Sequence, residues 1–398
     1  MPAALSLRIL MNSQTNHRFF VACSPGLEPL LAEELEELGV LGSARPGGVE
    51  ARGDIRSIWT SCYKSRLAES VRVRLKAFSA TSFEALEAGL ERLPWHAYLP
   101  RNSPVQVSVT CHRSRLWHSD AVRERALEVL ARRRGAQPAR VTQGDDADSD
   151  GALEPSPHCA RVYVRIERDE VQVSIDASGD RLHRRGYRTH VAEASLRETL
   201  AAALVHVALR HAPDSTHLWD PFCGAGTIAL EWLERASGRA AGTRRTFAFE
   251  RWPTHDGAAY ALFREQQPSQ KATLCEAWGS DVSERALAAA RNNAERAGFA
   301  EHTRWLHGDF AAAAEQVPEG ALVISNPPYG VRVEEGGSLA RFERLLVARR
   351  DLRPVVLLLG GAARLRNARL PFSAIAKTKN GGLSVRVELL TAKSRARP

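Results

Sequence analysis

The residues best suited to chemistry are five consecutive positions, Asn326-Pro-Pro-Tyr-Gly330. Consecutive prolines fix φ and keep the preceding residue out of helical space, so we predict a stiff, extended ledge after a strand. The Asn326 side-chain carbonyl and the Pro327 backbone carbonyl would offer two acceptors to a planar amino group, and Tyr329 would stack on its ring. A rigid turn explains the prolines but not the flanking Asn326 and Tyr329. Asn326, Pro327 and Tyr329 are therefore the candidate catalytic residues.

A second segment, Asp220-Pro-Phe-Cys-Gly-Ala-Gly-Thr227, has the composition of a ligand-binding turn between a strand and a helix. Its glycines let the backbone approach a ligand closely, and a helix N-terminus adds exposed N–H groups. An ordinary tight turn would contain the same glycines. The segment lacks the Gly-Lys-Ser/Thr of a phosphate loop and the third glycine of the dinucleotide fingerprint. The candidate cofactor-binding residues here are Asp220, Cys223, Gly224, Gly226 and Thr227.

Two further carboxylates follow predicted strands. Asp281 could accept the hydroxyl protons of a ribose. Asp309 could accept from an adenine amine, and Phe310 would place an aromatic face beside the adenine ring. Ligands of open α/β sheets lie outside the carboxyl ends of the strands, where these residues are expected. Each carboxylate alone would be read as a helix cap, but three at one sheet edge predict a nucleoside site.

The elements that must position these residues change in character along the chain. Before residue 176, short alternating strands and amphipathic helices indicate α+β structure, including a hairpin of residues 161–166 and 170–175. After residue 196, strands and helices alternate at the spacing of βαβ units, which predicts a doubly wound parallel α/β sheet. Strands at 374–379 and 383–391 flank Asn380-Gly-Gly382 and predict a terminal antiparallel hairpin. Residues 143–151 are predicted to form an acidic surface loop.

Length and composition narrow the class of protein. The chain has 398 residues, enough for two or three domains, with 44% hydrophobic residues and a net charge of +9. Such a charge favours polyanions, nucleic acid first, although many basic proteins bind none. The six cysteines have no metal-ligand spacing, which predicts reduced thiols and no metal site. Lacking a membrane-length apolar segment or an apolar leader, the chain is expected to be cytoplasmic. We expect a monomer or a weak dimer.

The order and spacing of these motifs resemble class I S-adenosylmethionine-dependent amino-methyltransferases. The resemblance implies S-adenosylmethionine as cofactor and methylation of an exocyclic or amide nitrogen. Asn326–Tyr329 alone leaves DNA adenine, protein glutamine and RNA guanine open as acceptors. Asn326→Ala is expected to abolish transfer and to leave cofactor binding largely intact.

The rest of the chain resembles the bacterial large-subunit rRNA guanine-N2 methyltransferases that contain a THUMP domain, and their tRNA-modifying relatives. The resemblance rests on residues 111–119, 176–188, 196–200 and 247–253. It implies an N-terminal extension (1–16), a ferredoxin-like domain (17–69), a THUMP RNA-binding domain (70–177), a linker (178–195) and the methyltransferase domain (196–398). The substrate implied is guanosine N2 in 23S rRNA, with tRNA as the alternative. A catalytically silent RNA-binding or assembly factor also stays open.

The same resemblance assigns RNA binding to arginines on both sides of the linker. They are Arg113, Arg115, Arg184, Arg185 and Arg188, with the basic helix of residues 123–134, whose charges fit a solvated face nearly as well. The chain departs from the family pattern at Ser195, usually proline, and at Val331, commonly acidic. Residues 336–355 are also shorter than usual, so substrate choice is less defined than reaction type.

Overall fold

The computed structural model describes residues 16–101, 103–134, 159–188, 196–267, 275–328, 337–361 and 363–391. The expected acidic loop at 143–151 lies outside these residues, as do Ser195, Tyr329 and Val331. Packing divides the chain into two compact units. The first comprises Met1–Cys23, Ala32–Leu182 and Arg245–Gln267, and the second comprises Ser24–Leu31, His183–Arg244 and Pro268–Pro398.

The strands and helices are numbered in chain order. The strands are β1 His17–Ala22, β2 Gly42–Arg45, β3 Gly48–Gly53, β4 Ser70–Arg74, β5 Phe78–Ser79, β6 Val105–His112, β7 Ala160–Glu167, β8 Glu170–Asp176, β9 His217–Asp220, β10 Glu276–Asp281, β11 Thr303–His307, β12 Leu322–Ser325, β13 Val355–Gly360, β14 Ser373–Asn380 and β15 Leu383–Leu390.

The helices are α1 Glu28–Glu37, α2 Ile55–Tyr63, α3 Phe83–Glu91, α4 Trp95–Tyr98, α5 Ser119–Arg134, α6 Glu198–Leu209, α7 Thr227–Ala236, α8 Gly257–Glu265, α9 Glu284–Ala297, α10 Phe310–Ala313 and α11 Gly337–Ala348. Short 3₁₀ turns cover Ala248–Arg251 and Ala300–His302. No helix within the described ranges is both long and apolar enough to cross a membrane.

The first unit is built on one mixed sheet with strand order β2-β3-β1-β4-β8-β7-β6, and β5 pairs with β8. The predicted hairpin of β7 and β8 is confirmed as an antiparallel pair. The hairpin of β2 and β3 and the helix α2 were not predicted. Both carry local signals: Pro46-Gly47 precedes β3, and the Asp54 side chain caps α2 by accepting from the backbone N–H of Ser57 at 2.9 Å.

Residues 245–267 pack within the first unit, although the expected boundaries assign them to the methyltransferase domain. The cause is an aromatic cluster around Trp59 of α2. Its ring centroid lies 5.2 Å from that of Tyr260 and 5.6 Å from that of Phe263. Phe247 and Phe249 stack at 5.3 Å in the same cluster. Burying these rings fixes the segment in place.

The second unit is the α/β domain that the sequence predicts. Its sheet has the order β11-β10-β9-β12-β13-β15-β14. Strands β9 to β13 pair in parallel, and β15 pairs antiparallel with both β13 and β14, as predicted for the terminal hairpin. The predicted helix over 284–297 is confirmed as α9, which Ser283 caps at its start and Gly298, at φ 77°, closes. One core cluster packs Trp219, Phe342 and Leu357.

Candidate active site

The predicted cofactor and ledge residues follow four neighbouring strands of the second unit. Asp220 ends β9, Asp281 ends β10, Asp309 follows β11 and Asn326 follows β12. All four strands are parallel, so their carboxyl ends form one edge of the sheet. The order β11-β10-β9-β12 places Asp220 between the other two carboxylates and the ledge. The structure therefore gathers these residues along one edge.

Asp220 connects the cofactor turn to the ledge through buried hydrogen bonds. The Ser325 hydroxyl, on the residue before Asn326, donates to Asp220 Oδ1 at 2.5 Å. The backbone N–H of Phe222 donates to the same oxygen at 3.2 Å. Burial raises the pKa of Asp220 to about 7 although both hydrogen bonds lower it, and the nearby Asp281 charge adds to the rise. Asp220 acts as a buried brace between β9 and β12.

The two glycines of the turn have different surroundings. Both have positive φ, 51° at Gly224 and 78° at Gly226. A side chain at Gly226 would lie 2.6 Å from the ring of Trp305, whereas nothing lies within 4 Å of the equivalent position at Gly224. The expectation that both glycines make room for a ligand is corrected: Gly226 makes room for Trp305, and only Gly224 faces open space.

Backbone anchors hold the rest of this turn. The Cys223 N–H donates to the Ser280 carbonyl at 3.0 Å. Asn293 of α9, which the sequence analysis missed, donates from Nδ2 to the Ala225 carbonyl at 3.1 Å. Cys223 is buried, and burial raises the pKa of its thiol. Thr227, also buried, begins α7. These contacts fix the backbone of the turn and leave the space beside the Cα of Gly224 open.

Asp281 is half-buried and keeps acceptor capacity. Its Oδ2 accepts from the backbone N–H of Gly224 at 3.0 Å, and its Oδ1 accepts from that of Ser283 at 2.8 Å. Each carboxylate oxygen has two lone pairs, so both oxygens can accept again. The adjacent Val282 is 72% exposed, an apolar surface that the sequence analysis did not single out. Asp281 and Val282 together present a carboxylate and an apolar face.

Phe310 does not present the open aromatic face that the sequence predicts. It is buried in the core and packs edge-on to Phe342, with ring centroids 5.5 Å apart. Arg341 covers the ring with its guanidinium carbon 5.4 Å from the centroid. Arg341 also donates to Asp309 Oδ1 at 2.9 Å, and the same oxygen caps α10 at the N–H of Ala311. The Phe310 prediction is thus corrected, and Asp309 is partly engaged.

The ledge begins as predicted, directly after a buried strand. Asn326 is half-buried, Pro327 is buried and Pro328 is exposed. Asn326 Oδ1 is itself buried and has no hydrogen-bond partner among the described residues. Leaving a buried acceptor unpaired costs about 1–3 kcal/mol, which a donating amino group would recover. Tyr329, the third predicted catalytic residue, lies outside the described residues.

Two of the predicted RNA-binding arginines lie in the protein interior instead. The side chain of Arg185 is 3% exposed and pairs with the fully buried Glu231 at 3.4 Å. That of Arg188 is 9% exposed and lies 3.5 Å from Glu198. Their guanidinium groups balance buried carboxylates and cannot reach an RNA phosphate, so this prediction is wrong for both. Arg184 is exposed, as an RNA contact requires.

The predicted RNA-binding loop of the first unit is exposed and held in shape. Arg113 and Arg115 are both exposed. Asp169, in the turn between β7 and β8, accepts from the backbone N–H of Arg115 at 2.7 Å. Trp117 is 74% exposed, and its ring centroid lies 5.3 Å from that of His118. Trp117 lies within the segment 111–119 that carries the resemblance, but no role was predicted for it.

The basic helix α5 is less available than its composition indicates. Arg123 pairs with Asp120 at 2.7 Å, and Arg132 pairs with Glu87 at 2.9 Å. Arg125 lies 3.2 Å from Glu128. These contacts fit a solvated, ion-paired face, one of the two interpretations that the sequence left open.

Comparisons with known proteins match both halves of the chain. Residues 185–354 match the family described as RMKL-like, methyltransferase domain, and residues 18–72 match the RlmL ferredoxin-like domain. The chain is 32% identical over 343 residues to the ribosomal RNA large subunit methyltransferase K/L of Methylococcus capsulatus. The matched region covers 81% of this chain and 43% of that protein. The chain thus spans less than half the length of the curated relatives it matches.

Solved structures resemble this fold over nearly its whole length. SMU.472, described as a methyltransferase complexed with SAH, has a TM-score of 0.78 at 23% identity, over 96% of this chain and 100% of the other. A protein described as a predicted N6-adenine-specific DNA methylase, from Listeria monocytogenes str. 4b F2365, has a TM-score of 0.76 at 26% identity, over 95% of this chain and 97% of the other. Residues 185–354 are thus similar to the RMKL-like methyltransferase domain, and residues 18–72 are similar to the RlmL ferredoxin-like domain.

Proposed function

We propose that this protein transfers a methyl group from S-adenosylmethionine to the exocyclic N2 of a guanosine in 23S rRNA. The observation that carries the proposal is the Oδ1 of Asn326, directly after β12, which is buried and has no hydrogen-bond partner in the part of the chain that the structure describes. Asn326 follows β12, which pairs with the strand that ends at Asp220, and Pro327 comes next. The names of the relatives favour large-subunit rRNA as the substrate.

The chain's own residues fit the proposed donor. Gly224 has open space at its Cα, Asp281 has spare acceptor capacity for ribose hydroxyls, and Val282 offers exposed apolar surface to a purine ring. S-Adenosylmethionine, when bound, supplies an electrophilic methyl group. Asp220 holds the turn and the ledge together through Ser325.

The ledge would act on the acceptor by orientation and polarisation. The N2 amine of guanine is a poor nucleophile because its lone pair is delocalised into the ring. Asn326 Oδ1 and the Pro327 carbonyl would each accept one amine hydrogen, which fixes the amine plane and raises electron density on nitrogen. Because the amine proton becomes acidic once the new N–C bond forms, no carboxylate has to remove it beforehand. The guanosine must leave its stack to reach the ledge.

The first unit would capture the RNA. Arg113, Arg115 and the exposed Trp117 combine phosphate-binding charge with a stacking surface, the pattern that single-stranded RNA requires. This supports the interpretation of residues 70–177 as a THUMP domain. With an rRNA substrate, a cytoplasmic protein is the natural expectation.

Three other functions remain as alternatives. A tRNA guanosine would use the same ledge, and DNA adenine methylation is suggested by the name of the Listeria protein. A catalytically silent RNA-binding factor would leave Asn326 without a role. The names of the curated relatives, which are ribosomal RNA methyltransferases, favour RNA over DNA.

Mass spectrometry of nucleosides distinguishes these functions. We expect N2-methylguanosine to disappear from 23S rRNA when the gene is deleted and to return with the wild-type chain but not with Asn326→Ala. The variant should still bind S-adenosylmethionine in equilibrium dialysis. Loss from tRNA alone would favour the tRNA alternative. Unchanged rRNA and tRNA, with no binding of the donor, would exclude the enzyme.

A further inference from the structure

The second unit contains a basic groove that no part of the proposed mechanism uses. Its volume is about 660 Å³, and it lies between the segment that follows β13 and the hairpin of β14 and β15. Four cationic side chains line it against one carboxylate. The cations are Arg364, Arg366, Lys377 and Arg386, and the carboxylate is Glu388.

The cations of this groove are differently engaged. Arg386 pairs with Glu388 at 3.1 Å and donates to the Ala363 carbonyl at 2.8 Å. Arg366 and Lys377 are exposed, and their side chains have no hydrogen-bond or ion-pair partner among the described residues. Arg364 is also exposed and donates only to backbone carbonyls. Among the residues that the structure describes, the groove therefore carries three positive charges without a carboxylate partner, those of Arg364, Arg366 and Lys377.

The groove is held open by its own scaffold. The buried Glu343 of α11 accepts from the backbone N–H groups of Arg366 and Asn367, at 2.7 and 2.9 Å. Arg386 fixes the same segment from the sheet side at the Gly361 carbonyl, at 3.3 Å. Because the backbone is anchored from both sides, the cationic side chains are presented without a cost of ordering the loop.

Topology places the groove at the catalytic edge of the sheet. Strands β12 and β13 are parallel, so the groove segment leaves β13 at the edge where Asn326 leaves β12. The antiparallel β15 begins at this edge, since Gly360 pairs with Val385. The donor side, β9 to β11, lies across β12 from the groove. With about 4.8 Å between strands, the groove begins about 10 Å from the ledge.

We propose that the groove binds the phosphodiester backbone of the RNA strand that carries the target guanosine. The inference rests on the proposed function, because only an RNA base at the ledge brings its strand along this edge. Guanidinium and ammonium groups match phosphate oxygens in charge and hydrogen-bonding geometry. The donor and the RNA backbone would then occupy opposite halves of one sheet edge.

The test compares two double variants of the full chain that remove the same charge. Arg366→Ala/Lys377→Ala removes two of the three groove cations without a carboxylate partner, whereas Arg296→Ala/Arg350→Ala removes two exposed arginines, one in the last turn of α9 and one just after α11, away from that edge. Binding of a fluorescein-labelled single-stranded 23S rRNA fragment is measured by anisotropy from low to high salt. Both doubles are repeated with Arg113→Ala/Arg115→Ala, so that the first unit does not mask the effect.

We expect the groove double to reduce the slope of log affinity against log salt by about 1.4, since each single-strand phosphate contact contributes about 0.7. The control double should keep the parent slope, and both should bind S-adenosylmethionine like the parent. Equal slopes for the two doubles would overturn the proposal. Polyglutamate serves as a probe for an acidic peptide, and a groove double that loses polyglutamate binding but keeps the parent's RNA binding would also overturn it. Methylation of 23S rRNA by the parent is scored separately, so failure of the proposed function is visible independently of the groove.

Discussion

At the scale of single residues, the site depends on how each side chain is buried. Asp220 illustrates this, because its type suggested a cofactor ligand while its burial makes it a brace. Its Oδ1 accepts hydrogen bonds from the Ser325 hydroxyl and from the backbone N–H of Phe222, both at the same sheet edge. Its carboxyl group is out of water, which favours the neutral form and raises its pKa to about 7. A brace that titrates near neutrality makes the stability of this edge depend on pH.

Asp220→Asn should remove part of that pH dependence. The folded pKa of Asp220 is raised above that of the unfolded chain, so its contribution to stability is full below about pH 4 and is lost as pH rises through 7. The loss is on the order of 4 kcal/mol at most, from about 1.4 kcal/mol per pKa unit. Asparagine keeps the acceptor for Ser325. Urea unfolding at pH 5 and 8 should show a smaller stability difference in the variant than in the parent.

A control of opposite sign is available at Asp351. Its hydrogen bond with Arg349 lowers the pKa of the carboxyl, so its contribution is present above the unfolded pKa and is lost as pH falls. Asp351→Asn should leave the decline between pH 5 and 8 unchanged. If Asp220→Asn declined as steeply as the parent, the buried carboxyl would not titrate in this range.

The two glycines of the turn provide a second residue-scale prediction. Gly226→Ala should destabilise the fold by about 2–4 kcal/mol, because its Cβ would meet the Trp305 ring at 2.6 Å and its φ is 78°. Gly224→Ala should cost only about 1–2 kcal/mol of conformational strain, yet it should weaken donor binding because its Cβ enters open space. Thermal unfolding and equilibrium dialysis with S-adenosylmethionine measure the two effects.

Replacing Trp305 separates packing from binding in this pair. Trp305→Leu combined with Gly226→Ala should recover part of the lost stability, since the ring that the new Cβ meets is gone. The same replacement should not restore donor binding to Gly224→Ala. Equal stability losses for the two glycine variants would contradict the assignment.

At the scale of secondary-structure elements, the sequence predicted those strands and helices that have a regular hydrophobic period or a local turn signal. Alternation of strands with helices identified the parallel sheet and α9, and Asn380-Gly-Gly382 identified the terminal hairpin. The short hairpin of β2 and β3 was not predicted because β2 is exposed throughout and has no alternation of buried and exposed residues. Segment 247–263 could not be assigned to the first unit from sequence, because its partner, Trp59, lies nearly 200 residues away.

Charge was the least predictable property. A run of arginines has the same composition whether it faces solvent or a buried carboxylate, and Glu231 lies more than 40 residues after Arg185. In the ledge, by contrast, the two prolines restrict the backbone dihedral angles of neighbouring residues. The position of the ledge after β12 could therefore be predicted from the sequence. Residues that act through distant partners, such as Asn293 beneath the cofactor turn, required the structure.

Helix α7 yields a third prediction, because its Glu231 is the partner of both Arg185 and Tyr187. The Tyr187 hydroxyl donates to Glu231 Oε1 at 3.0 Å, and burial raises the pKa of that hydroxyl well above its usual value. Glu231→Gln should lower the free energy of unfolding by about 3–5 kcal/mol, because it removes the carboxylate charge that pairs with the buried Arg185. Chemical denaturation measures this loss.

Arg185→Ala should cost a similar amount, whereas Arg184→Ala, one residue away and exposed, should cost less than about 1 kcal/mol. Neither Arg185→Ala nor Glu231→Gln should change the salt dependence of RNA binding at temperatures where the variant is folded. A reduced slope for Arg185→Ala would restore its predicted role as a phosphate contact.

At the scale of the whole molecule, the basic charge is distributed over two units that would have separate tasks. The net charge of +9 is modest for 398 residues, so a general attraction to RNA is weak and built sites must supply affinity. In the first unit the proposed RNA site combines charge at the exposed Arg113 and Arg115 with the exposed ring of Trp117. Charge and stacking respond differently to salt, so their contributions can be separated.

The last prediction uses that difference. Arg113→Ala and Arg115→Ala should each reduce the slope of log affinity against log salt by about 0.7 for single-stranded RNA. Trp117→Ala should instead lower affinity by about 1–3 kcal/mol at every salt concentration and leave the slope unchanged, because stacking releases no counterions. Trp117→Phe, which keeps an aromatic face, should retain most of the affinity. A salt-dependent loss in Trp117→Ala, or none, would mean that this exposed ring does not stack on RNA.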